Sequence, residues 1–258
     1  MVIDSHAHIY PDKLAEKAVA FVGSFYSMKP RCDGTANTML RLGQSAGIDR
    51  YVVHSAAQSP AQVKTINNYI AAECAAHPEL IGFGTLHKDM SDPGEEVERM
   101  IMLGLKGVKL HPDMQKFNID DPSMYAIYAY LEGRLPVLMH CGDYRYTWSH
   151  PARLAKVLAL FPRLTVIAAH FGGWSIFDLA LEHLQHTQCY LDISSSVMFL
   201  GDRRAEELIG KYGAERILFG SDYPMWNPAE ELERFHALKF PQQDRELILS
   251  HNILRILP

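Results

Sequence analysis

Histidine makes up 13 of the 258 residues, and much of it sits where it could act together. His6 and His8 stand two apart in Asp4-Ser-His-Ala-His8. Further on, His54, His87, His111, His140, His170, Asp192 and Asp222 each follow a short apolar run. Neutral imidazoles and carboxylates in one place bind a borderline-soft cation such as Zn²⁺, with a position left open for water. The alternative is a hydrogen-bonded polar cluster, a costly use of buried imidazoles. The other six histidines, His77, His150, His183, His186, His236 and His251, fall outside this pattern.

The pattern needs elements that deliver those ends to a common rim. Side chains two apart on a strand point the same way, so His6 and His8 can aim at one point. The runs beginning at Val2, Tyr51, Ile81, Gly107, Pro136, Leu164, Tyr190 and Ile217 are apolar on both faces and read as buried parallel strands. Their polar ends recur at intervals close to the roughly 30 residues that one strand, one helix and two loops require. Helix starts are marked between them by Ser59-Pro60, Asp92-Pro93, Asp121-Pro122 and Asn227-Pro228, and by Asp202 without a proline. Gly104, Gly133 and Gly213 sit where helices should end. This predicts one domain over residues 1–258, a single (β/α)8 TIM barrel whose C-terminal rim carries the site. An open doubly wound sheet would share the strand count. It usually binds nucleotides through a Gly-rich first turn, and the first turn here has no glycine. The long interval after the first strand, with Gly23, Pro30 and Gly34, reads as an enlarged loop over residues 21–34, a lid or substrate wall.

Composition narrows the functional classes. With 48% apolar and 21% charged residues, the chain is neither disordered nor a disulfide-stapled mini-protein. Lys and Arg number 25 against 30 Asp and Glu, a net charge of −5, which argues against nucleic-acid and anionic-membrane partners. Cys32, Cys74, Cys141 and Cys189 are scattered, as reduced thiols would be. Cys141 reads as a packing residue. No leader pattern or membrane-length apolar stretch is present, so a cytoplasmic protein acting on a small molecule is expected.

Asp4-Ser-His-Ala-His8 resembles the first-strand motif of the amidohydrolase superfamily. Lys106-Gly-Val-Lys-Leu-His-Pro112, Ala169-His-Phe-Gly-Gly173 and Phe219-Gly-Ser-Asp-Tyr-Pro224 resemble motifs of its amidohydrolase-related branch, and Ile248-Leu-Ser-His-Asn252 its closing helix. That branch includes aminocarboxymuconate-semialdehyde decarboxylase, resorcylate decarboxylases and pyrone-dicarboxylate lactonase. The resemblance implies that His6, His8, His140 and Asp222 ligate a divalent metal, with zinc expected. It makes His170 a catalytic acid/base or a ligand of a second metal. Binuclear members of the superfamily bridge two metals from strand four. Lys109 lies inside that strand rather than at its end, so one ion is favoured over two. The resemblance also makes a homodimer an expectation.

Other residues carry weaker expectations. Lys109 and His111 share a strand face and could touch substrate or metal, or form a polar layer inside the barrel. His54 and His87 read as satisfied core histidines. Asp192 could orient a histidine or cap its strand. Arg145, five residues after His140, suits a bidentate hold on a substrate carboxylate, and Trp148 could pack a planar substrate. The leading expectation is a metal-dependent hydrolase acting on an ester, lactone or amide of a small, carboxylate-bearing substrate, with Asp222 or His170 taking the proton. The alternative is non-oxidative decarboxylation of an aromatic or unsaturated carboxylic acid at the same site. A barrel that binds without catalysis would lack a ligand, and none is missing.

Overall fold

The computed structural model describes residues 1–258. Eight strands follow sequence order around one sheet: β1 (Ile3–His8), β2 (Arg50–His54), β3 (Leu80–Thr85), β4 (Gly107–Leu110), β5 (Val137–Met139), β6 (Val166–Ala168), β7 (Tyr190–Asp192) and β8 (Ile217–Leu218). Consecutive strands pair in parallel. The ring draws shut between its first and last members. Ser5 N–H donates to the Phe219 carbonyl at 2.9 Å, Asp222 N–H to the His6 carbonyl at 2.8 Å, and His8 N–H to the Tyr223 carbonyl at 2.7 Å. Helices surround it, giving the (β/α)8 barrel that the sequence implies.

The inner and outer faces of the strands separate cleanly. Val108, Val137, Met139, Val166 and Leu191 join a core of 48 buried residues between sheet and helices. Ile3, Val52, Ile81, Phe83, Leu138, Ile167 and Leu218 plug the barrel interior, together with Ile253 from the C-terminal helix Asn252–Ile256. The polar layer stands above that plug. On β4, Gly107 lies against the Phe83 ring, where a Cβ would come within 2.5 Å, and Lys109 is the next residue on the same face. On β1 the register shifts between Asp4 and Ala7. That bulge adds one residue, so Ile3 joins the plug and both His6 and His8 still face inward.

Local signals set most helix starts. Pro60–Ala76, Pro93–Met102 and Pro228–Ala237 begin where expected, and Asp121-Pro122 opens the short turn Pro122–Met124 before Tyr125–Leu131. Asp92 accepts from Glu95 N–H and Asn227 from Ala229 N–H. Asp202 differs from expectation: Gly201 holds the cap, and Asp202 is the first residue of Asp202–Tyr212. Two caps come from histidines that precede prolines. The Nδ1 atoms of His111 and His150 accept from Met114 and Ala152 N–H.

The segment after β1 is enlarged, but much of it is helical rather than loop. Helix Asp12–Tyr26 runs well into residues 21–34, and Ala36–Ala46 follows. Gly23 is not a breaker there. It is buried inside the helix, and a Cβ on it would stand 2.7 Å from Pro30 Cδ. No helix is long and apolar enough to cross a membrane.

Candidate active site

The bulge on β1 and the left-handed turn after β8 bring three donors together. His6 Nε2 and His8 Nε2 are 3.3 Å apart, and Asp222 Oδ1 lies 3.4 Å from the first and 3.5 Å from the second. Ligands held 2.0–2.1 Å from a four-coordinate ion are about 3.4 Å from one another. Asp222 itself has φ of 58°, a conformation costing of order 1–3 kcal/mol that other contacts must sustain. Ser195 helps, with its hydroxyl donating to Asp222 Oδ2 at 2.5 Å while accepting from Trp226 Nε1–H at 2.7 Å.

A buried scaffold behind the triangle fixes the rings. Asp192, at the end of β7, lies 2.9 Å from His6 Nδ1 through Oδ2. Its Oδ1 accepts from the backbone N–H groups of His170 and Ser194 and from the Ser194 hydroxyl. A carboxylate on one imidazole nitrogen leaves the other nitrogen's lone pair facing the site. His170 is fixed likewise, with Nδ1 at 2.9 Å from the Ser194 carbonyl. Its Nε2 is 3.2 Å from His140 Nδ1. On the far side of that ring, His140 Nε2 lies 3.0 Å from the Gly142 carbonyl and 3.4 Å from Asp113 Oδ2. His140 therefore presents Nδ1 toward His170.

Burial pushes the imidazoles of His6, His8, His54 and His111 below their ordinary value, and that of His170 down to about 4. Desolvation disfavours the charged form, so these rings are neutral at neutral pH. Asp222 stays ionised. Burial alone would raise its carboxyl, but the surrounding rings, His6 first, and the His8 hydrogen bond hold it well below the usual range. Neutral imidazoles beside a carboxylate fit a divalent ion. So does His54, whose two ring nitrogens are buried without a partner while its ring packs on His6 and His8 at 5.1 and 4.4 Å. His6, His8, His54 and Asp222, with His140 and His170 beside them, are the residues that could hold it.

The remaining residues singled out from sequence divide. Lys109 is fully buried inside the barrel with Nζ 2.9 Å from His6 Nε2. His111 stacks on His140 at 4.0 Å and both line the cavity. Arg145 does not line it. The buried carboxylate of Asp143 takes its Nε and Nη2, at 2.9 and 2.7 Å, and its Nη1 donates to the Phe25 carbonyl at 2.6 Å. Trp148 stacks on Tyr146 at 5.1 Å, also away from the cavity, and His87 turns to Asp89.

That cavity, about 550 Å³, opens above the donors. Helix Asp12–Tyr26 contributes Leu14, Phe21, Val22 and Tyr26 to its wall, and helix Pro60–Ala76 contributes Ile66 and Tyr69. Residue types at strand ends did not reveal Tyr26, Ser194, Ser195 or Asp113. Each also acts through a partner distant in sequence, and a local hint was carried by Asp113, two residues after His111, and by Ser194, two residues after Asp192.

Fold and site together define an enzyme of the amidohydrolase superfamily. A family model described as amidohydrolase matches residues 3–258, and the chain belongs to that family. Over 240 residues it is 25% identical to the 2-amino-3-carboxymuconate-6-semialdehyde decarboxylase of Dictyostelium discoideum, a match covering 74% of this chain and 65% of that protein, slightly under two thirds of its length. Solved structures share the fold. A dihydroxybenzoic acid decarboxylase from Polaromonas, with manganese and the inhibitor 2-nitroresorcinol bound, aligns at TM-score 0.77 and 16% identity over 99% of this chain and 96% of that one. A probable 2-pyrone-4,6-dicarboxylic acid hydrolase from Acinetobacter baumannii aligns at 0.72 and 17%, over 99% and 98%.

Proposed function

We propose that this chain is a divalent-metal-dependent, non-oxidative decarboxylase of a small aromatic or unsaturated carboxylic acid. The reading takes the second of the two reactions expected from the sequence and its family resemblance, in place of the hydrolysis expected first. The observation that carries it is the cavity, with a cluster of imidazoles and a carboxylate at its base and apolar side chains above. Hydrolysis of an ester or lactone creates a carboxylate, whereas decarboxylation consumes one, and an apolar chamber favours the step that loses charge. Arg145 is spent on Asp143, and the cations that line the cavity are Lys17 on the helix wall and Lys109 at the donor cluster; a substrate carboxylate is held beside Lys109, next to the groups that would act on it. The match to a decarboxylase over 240 residues supports the same reading.

A zinc or manganese ion held by His6, His8, His140 and Asp222 would supply Lewis-acid polarisation of the substrate oxygens. The chain's own residues do the rest. The apolar wall orients the planar body and excludes water. When the carbon–carboxyl bond breaks, CO₂ leaves and the electron pair stays on carbon, which takes one proton. His170 delivers it through Nε2, because Nδ1 is occupied by the Ser194 carbonyl. At rest the ring is neutral, with its one proton on Nδ1; an anionic substrate beside it raises its proton affinity, so that Nε2 takes up the proton from solvent that the carbon then receives.

The test is a panel of hydroxybenzoates and small lactones given to metal-loaded protein in D₂O. One CO₂ per substrate consumed, with one deuterium in the product, is expected. Hydrolysis of a lactone without CO₂ would overturn the reading in favour of the pyrone-hydrolase type of chemistry. The nitroresorcinol of the Polaromonas structure serves as a coloured probe that does not react.

A further inference from the structure

Tyr26 is the last residue of helix Asp12–Tyr26, and its hydroxyl reaches the cavity floor. The hydroxyl oxygen lies 2.8 Å from His111 Nε2, and no other polar group contacts it. Which of the two donates is decided on the other side of the imidazole. His111 caps the helix Pro112–Gln115, and its Nδ1 accepts the Met114 N–H at 3.3 Å. An Nδ1 that accepts carries no proton, so the neutral ring bears its proton on Nε2 and donates it to the Tyr26 oxygen. The phenol proton is then unspent, on a group that faces the cavity.

The helix end that carries Tyr26 is fastened to the barrel. Arg145 grips the Asp143 carboxylate with two nitrogens and donates a third contact to the Phe25 carbonyl, the residue before Tyr26. Its guanidinium lies 5.1 Å from the Phe25 ring centre and 5.5 Å from that of Tyr26. On its other face Tyr26 packs edge-on against Trp174 at 5.3 Å.

We propose that the Tyr26 hydroxyl donates a hydrogen bond to an oxygen of the bound substrate, a phenolate or carboxylate oxygen, with its direction set by His111. Tyr26 is a substrate-binding residue, and Arg145 is a positioning residue that acts through Tyr26. The assignment rests on the decarboxylase reading for the identity of that oxygen, but not for the direction of the hydrogen bond.

Two measurements on metal-loaded protein test it. Nitrogen-15 spectra of the imidazoles, with His111 assigned by its loss in His111→Asn, are expected to show His111 protonated at Nε2. Protonation at Nδ1 would overturn the proposal, because Tyr26 would then spend its proton on His111. Titration with 2-nitroresorcinol is expected to give five- to tenfold weaker binding in Tyr26→Phe, with metal content and thermal midpoint unchanged. Arg145→Ala is expected to weaken the probe less, and the double variant Tyr26→Phe/Arg145→Ala no more than Tyr26→Phe alone, because Arg145 acts through that hydroxyl. Losses that simply add would overturn the role given to Arg145. Wild-type binding that Tyr26→Phe leaves intact would overturn the role of Tyr26 and spare the decarboxylase reading. Metal-loaded wild type that neither binds the probe nor releases CO₂ from any hydroxybenzoate would overturn both.

Discussion

The Lys109 ammonium nitrogen stands 2.9 Å from His6 Nε2, the nitrogen that also faces His8 and Asp222. A buried cation there repels a divalent ion bound by the same imidazole. Lys109→Met keeps the volume and removes the charge. The variant, stripped of metal, is expected to bind Zn²⁺ or Mn²⁺ about tenfold more tightly, as a change of about 1.4 kcal/mol would give, in competition with a coloured chelator. Equal or weaker binding would show that the ion does not feel this charge.

Asp192 holds the His6 ring and the His170 backbone from behind. Asp192→Asn puts a donor where His6 needs an acceptor, or swings the amide round. Metal affinity is expected to fall about 10–100-fold while the barrel stays folded. Elemental analysis after dialysis checks this, and full metal retention would count against it.

Asp222 combines a corner of the donor triangle with a strained backbone. Asp222→Asn is expected to retain part of the metal and lose at least about 100-fold in kcat at saturating metal, within the several kcal/mol that a well-held ion can supply by polarising the substrate. A rate near that of wild type would remove Asp222 from the chemistry.

The eight strands were legible because each is buried on both faces and so reads as a short apolar run. The histidine cluster was legible because strand ends at one rim must converge. The legible part stops where a residue's meaning depends on a distant partner. Gly23 looked like a loop signal, yet it is a close-approach glycine within a helix, needed because Pro30 packs against it. Leu14, Phe21 and Val22 face a cavity rather than the core, which blurs the helical period. Arg145 looked like a free cation, and only the fold shows the backbone of Phe25 placed to share it with Asp143. The caps at His111 and His150 escaped notice because imidazole ranks low among capping side chains.

Glu231, in helix Pro228–Ala237, is 4% exposed, and burial pushes its carboxyl up to about 7 despite Arg234 at 3.1 Å. The folded protein thus holds this proton more tightly than the unfolded chain, where the group titrates near 4.5. The stability it contributes is complete below that lower value and is lost as pH rises through about 7. Between pH 5 and 8 the wild-type thermal midpoint is expected to fall by about 5 °C more than that of Glu231→Gln, from a difference on the order of 2 kcal/mol. Parallel midpoint curves for the two proteins would refute it.

The donor triangle straddles the seam where β1 meets β8. Two of its corners lie on the first strand and the third just beyond the last, and Asp222 N–H bonds to the His6 carbonyl across the join. The two parts of this donor set are therefore synthesised more than two hundred residues apart. An emerging chain has no complete triangle until its eighth strand has docked, so an ion that needs all three donors would enter after assembly of the ring rather than seed it. An ion held there would fasten the barrel at the one junction that no helical crossover spans.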